Sequence, residues 1–154
     1  MVKKSYEERT DLERIQSQWR KLTGLHSREE WSAAIVRAAT AAEIAANYAI
    51  RNEFKARSKF DEKFVNDQLR WANGIAGKID RLLLPLFDGR KQHKIVQPLK
   101  AVAEKINKDC NAIIHQGEFR DEEEASAVIA QAKLFIETLV HIYDPKFALK
   151  NAKR

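Results

Sequence analysis

The chain has one cysteine, three prolines and five glycines in 154 residues, and each scarcity removes a class of protein. A lone cysteine, Cys110, leaves no internal disulfide and no cysteine-based zinc site within one chain. So little glycine and proline, set against 44% hydrophobic and 32% charged residues, excludes collagen, low-complexity disorder and Gly-rich barrels. No apolar run approaches the roughly 18 residues of a membrane span. The opening MVKKSYEERT has no apolar stretch behind its lysines, so neither a transmembrane helix nor a secretory signal is expected, and a cytoplasmic location is. No fixed-period repeat and no Ser-, Gly- or Pro-rich linker is present, which reads as one domain over residues 1–154 with a basic tail over 145–154.

What is there is helix-forming and basic. Twenty-eight Lys plus Arg against 22 Asp plus Glu give a net charge of +6 and a pI near 9.5. Such a balance attracts polyanions over a distance but names no site. Leu12, Ile15, Trp19 and Leu22 recur at spacings of three and four and predict a first helix from about Tyr6 to Leu22, stopped by Gly24. Ser27 and Glu30 have the spacing of a capping box and predict the start of a second helix running to about Ala56. Its alanines permit close helix contact on several sides, so Glu43 and Asn47, four apart on one face, stand out as polar groups in a buried setting. A third helix is expected from about Asp61, threatened at Asn73-Gly74, and the pattern resumes toward Pro85 and Asp88-Gly89 as one kinked helix or two. A fourth should run from Val96 to Ile114 with Pro98 in its first turn and Gly117 as its stop. A fifth opens at Asp121 and reaches about Tyr143. The fold class is therefore all-α, a four- to five-helix up-and-down bundle, with the tail KFALKNAKR solvated.

The fourth helix carries the chemistry. At 100° per residue, Leu99, Val102, Ala103, Ile106, Cys110 and Ile113 form its buried stripe, which makes Cys110 a small hydrophobe. Glu104, Lys108, Asn111 and His115 share the opposite side. A histidine in the last turn of a helix, where the dipole favours its cation, can act as general acid or base near neutral pH. Lys108 and Asn111 can hold a phosphate beside it. Metal-independent RNA cleavage needs only such parts, and no set of ligands has metal spacing. His26, beside Ser27, is expected in a loop, and His141 has a structural part on the last helix. Trp19, Trp31 and Trp71 sit in apolar helical patterns as core anchors. Arg90, Lys91, His93 and Lys94 are the densest basic cluster and the loop best suited to touch RNA.

The segment CNAIIHQG, from Cys110 to Gly117, resembles the R-N-x-x-x-H signature of the HEPN superfamily of helical domains, with Asn111 and His115 in register. The EIAAN run from Glu43 to Asn47 resembles the family's second helix, NGIAGKIDRLLLPL its next segment with a lysine-containing helix, and DEEEASAVIAQAKLFIETLV its closing helix. The likeness spans about Trp31 to Val140. It implies a HEPN-type bundle and a symmetric homodimer in which the signature helices pair across a composite cleft. It also implies an RNA-directed function without a cofactor: a metal-independent endoribonuclease of a prokaryotic defence or toxin-antitoxin system, with His115, Asn111 and Lys108 as its catalytic set and Glu43, Asn47 and Glu104 as polar support. The signature arginine falls at Cys110, and a thiol lacks the donor fork of a guanidinium. Lys108 is the candidate replacement. The alternative is a catalytically inactive dimer that binds RNA, a nucleotide or a partner protein such as an antitoxin.

Overall fold

The alanine-rich stretch from Trp31 to Arg57 forms the longest helix and the centre of the molecule. A computed structural model describes residues 3–57, 62–72 and 74–152, and every regular element among them is helical. The order is α1 (Asp11–Ser27), α2 (Trp31–Arg57), α3 (Glu62–Trp71), α4 (Ile75–Gly77), a π-helical turn (Lys78–Leu83), α5 (Leu84–Leu86), α6 (His93–Val96), α7 (Leu99–Gln116) and α8 (Glu122–His141). Along α2 the side chains of Ala34, Ala38, Ala41, Ala42, Ala45 and Ala46 are all fully buried. Small side chains on several faces let neighbours approach closely, and α2 packs mainly on α1 and α8, with α7 and the π-helical turn closing its remaining side. The chain is an all-α bundle, as its composition implied.

Several helix ends differ from those read in the sequence. The capping box belongs to Thr10 and Glu13, each side chain bonding the other's backbone amide at the start of α1. Ser27 instead lies in the last turn of α1 and donates to the carbonyl of Gly24 at 2.8 Å. Gly24 sits inside that helix, and Glu29, with φ of 62°, makes the turn into α2. His26 is accordingly a helical residue, edge-on to Trp31 at 4.9 Å. The expected start of the third helix at Asp61 and the breaking residue Asn73 lie outside the described residues. Beyond Gly74, α4, the π-helical turn and α5 form one helical run. Pro85 cannot donate to Arg81, and its ring crowds that carbonyl. Widening the preceding turn relieves the clash and buries Lys78, Ile79, Leu82 and Leu83.

Pro98 likewise splits the expected fourth helix. α6 ends at Val96, and α7 begins only at Leu99, because a proline supplies no amide to continue the ladder. At its other end Gly117 takes the left-handed cap, φ 65°, with its amide on the Ala112 carbonyl. Asp121 caps α8 by accepting from the amide of Glu124. The basic tail is not simply solvated. Phe147 and Leu149 pack against the core. Gln16 brackets Lys150 from both sides, donating to its carbonyl at 2.6 Å and accepting from its amide at 3.1 Å. Trp19 Nε1 reaches Asn151 Oδ1 at 3.1 Å, and His141 Nε2 lies 2.7 Å from the carbonyl oxygen of Phe147. The lysines of the tail mask an apolar pair that closes over α1.

A candidate polar face on α7

Leu99, Ala103 and Ile106 are buried, and Val102, Cys110 and Ile113 pack against the core beside them, so the stripe read at helical spacing is the one that faces inward. Glu104, Lys108, Asn111 and His115 are all exposed on the far side. The first three line an open groove of about 450 Å3 with Asn107 on α7 and Arg120 beyond it. His115 stands one turn further along, outside that lining. Asn107 lies four residues before Asn111, a spacing that places it on the same face and could have flagged it. Ala76 of α4 also lines the groove, and Gly74 just before it lies close to Asn107: a side chain there would meet Asn107 Oδ1 at 3.3 Å, at a backbone φ of 80° that disfavours one.

Charge in the groove is unevenly committed. Arg120 Nη1 bonds Glu118 at 2.9 Å, Nη2 lies 3.6 Å from Asp109, and Nε lies 3.2 Å from Glu124. Three carboxylates surround one guanidinium and neutralise its charge, although Nε makes no hydrogen bond. Lys108, Asn111 and His115 make no side-chain hydrogen bond or ion pair with any described residue.

The expected polar support is a second site on the other side of the π-helical turn. Lys78 Nζ donates to Glu43 Oε1 at 2.6 Å, with the lysine side chain 5% exposed and the glutamate 38%. Asn47 and Arg51 continue this groove of about 360 Å3. Arg51 Nη1 holds both carboxylate oxygens of Asp11 at 2.9 Å, and Asn47 Oδ1 is buried with no hydrogen-bond donor. Lys78 was legible only as a lysine in an otherwise apolar helix. Glu43 also faces α7: burial first, and then the charge of Glu43, push the Cys110 thiol above its ordinary range. A raised value means less thiolate. Alkylation of Cys110 by iodoacetamide at pH 8 is therefore expected to run several-fold slower than that of a free cysteine, and to quicken in Glu43→Gln. Equal rates in both proteins would place Glu43 too far away to matter.

The basic loop is split. Arg90 Nη1 is tied to Glu53 Oε2 at 3.1 Å, and Glu53, buried, also accepts from the Tyr143 hydroxyl at 2.7 Å. Lys91 and Lys94 are exposed, while His93 is half-buried at the start of α6. Trp19 is buried and Trp31 packs against the core, but Trp71 is 63% exposed. It is the last residue of α3 and carries Arg81 5.8 Å over its ring. No helix among the described residues is long and apolar enough to cross a membrane. No family model, no curated protein and no solved structure matches the chain.

Proposed function

We propose that this protein is a HEPN-like, RNA-directed helical module that acts as a symmetric homodimer and binds RNA along α7, with Lys108 on phosphate and Asn111 and His115 on base edges or 2′-hydroxyls. One observation carries this reading. Lys108, Asn111 and His115 are exposed without an internal partner, while Cys110, at the place of the signature arginine, is half-buried beside the core. An unpaired polar row is open to a ligand. A neutral thiol turned inward cannot grip a phosphate as a guanidinium does, and the charge of the nearby Arg120 is balanced by three carboxylates, so binding is favoured over cleavage. Ile114 and Phe119, 56% and 91% exposed, flank His115 and give a second copy an apolar surface to cover.

A nuclease reading keeps one observation in its favour, the exposed general acid/base His115. Lys108 lies seven residues from it, about 10.5 Å along the helix, so both reach one phosphate only if they come from different copies. The test is a mixed RNA pool incubated with the protein in EDTA. The expected result is intact RNA, bound several-fold more weakly by Lys108→Ala. Products ending in 2′,3′-cyclic phosphate, absent with His115→Ala, would replace binding by catalysis. An absence of both binding and cleavage would end the RNA reading.

A further inference from the structure

A second concentration of positive charge lies away from α7. The segment before α1 folds back along that helix and encloses an open groove of about 610 Å3 whose lining includes Lys3, Lys4, Arg9, Arg20 and Lys21 against a single carboxylate, Glu13. That carboxylate is already spoken for. Glu13 accepts from the Thr10 amide and from Lys4 Nζ at 3.3 Å, and these bonds, the backbone one first, hold its pKa below the usual carboxylate range. Arg20 and Lys21 have no carboxylate partner among the described residues.

The groove is also built. Arg9 Nη1 donates to Ser17 Oγ at 3.0 Å and its Nη2 to the Lys4 carbonyl at 3.3 Å. Arg14 holds the carbonyls of Tyr6 at 3.1 Å and Glu7 at 2.8 Å. Arg9, Arg14 and Lys21 lie within 5.3–5.9 Å of the Tyr6 ring centroid. Like charges are thus held together by carbonyls and an aromatic face, which costs Coulomb repulsion and gives nothing obvious to the fold. Gln16, which completes the wall, is fixed by the backbone of Lys150.

We infer that this groove binds the phosphate backbone of single-stranded nucleic acid, without regard to sequence. An open channel that gathers Lys3, Lys4 and Arg9 from the segment before α1 and Arg20 and Lys21 from one turn of that helix suits a polymer with a charge on every unit. Among the described residues no apolar side chain lines it, so they offer nothing to insert into a lipid surface. The site is remote from the α7 row in sequence and element, and it stands whether or not that row binds RNA.

The experiment is fluorescence anisotropy with a labelled oligothymidylate, which lacks the 2′-hydroxyl, titrated at several salt concentrations. Arg20→Glu/Lys21→Glu is compared with Lys133→Glu, a charge reversal at an exposed position of α8, and with the milder Arg20→Gln/Lys21→Gln, and thermal melting of each variant confirms folding. The double charge reversal is expected to weaken binding at least about tenfold, and the glutamine pair to lower the salt slope by about 1.4. Lys133→Glu should leave the salt slope unchanged. Affinity unaltered in the groove variants, an equal loss with Lys133→Glu, or tighter capture by phosphatidylglycerol vesicles than by the oligonucleotide would each overturn the inference. RNA binding that fails only in the α7 variants would bear on the earlier proposal alone.

Discussion

Glu43→Ala is expected to lower the free energy of unfolding by about 3 kcal/mol, whereas Lys78→Met, on the other end of the same ion pair, should change it by less than about 1 kcal/mol. The asymmetry comes from burial. The lysine side chain is 5% exposed and the glutamate 38%. Removing Glu43 leaves the ammonium of a buried lysine without its carboxylate, so that its charge is uncompensated unless water is drawn in. Removing the ammonium leaves a carboxylate that is already partly hydrated, and methionine fills the vacated space along the same stem. The double variant should return close to the parent. Urea denaturation measures all four proteins, with the midpoint moving and the slope held constant. Equal losses in the two single variants would mean that the pair is effectively solvent-exposed. Added salt should alter the difference little, since a pair this enclosed is poorly screened.

The features that reached the structure intact are those fixed by short-range pattern. The apolar stripe of α7 needs only its own spacing. Gly117 and Asp121 serve as caps because a left-handed residue and a short acceptor have few substitutes at those points. Two of the Ser/Thr-x-x-Glu motifs show where such reading stops. Thr10 and Ser27 present the same local pattern, and only the first becomes a capping box, because α1 runs through Gly24 and the chain reverses at Glu29 instead. Propensity against glycine inside a helix is about 1 kcal/mol, which packing of Trp19 and Leu22 readily outweighs. The tail misleads for a related reason: four of its residues are basic, yet Phe147 and Leu149 carry its packing. Trp71 fails in the other direction: at the last position of α3 its ring is exposed. At the candidate site, exposure of Lys108, Asn111 and His115 was legible from periodicity, and so was the i,i+4 pair of Arg120 with Glu124, whereas the contacts of Arg120 with Asp109 of α7 and of Arg90 with Glu53 of α2 join distant segments, which no local pattern reports.

The alanines of α2 lead to the other large effect. Ala45→Leu is expected to destabilise the protein by about 3 kcal/mol, while Ala33→Leu should stay within about 0.5 kcal/mol of the parent. Both changes add the same three carbons to the same helix, and leucine is nearly as good a helix former as alanine. Ala45 is fully buried, and Ala33 is exposed. The added carbons at Ala45 have no space except by moving α2 away from a neighbour, and helix separations of 8–10 Å follow the size of the contact residues. Because α2 also holds Glu43, that displacement should disturb the Lys78 pair and reach Cys110. Thermal melting gives the stability loss, and the iodoacetamide rate at Cys110 reports the displacement in the protein that remains folded. A leucine tolerated at Ala45 with an unchanged alkylation rate would show slack between the helices and would remove the close packing from which the α7 face takes its position.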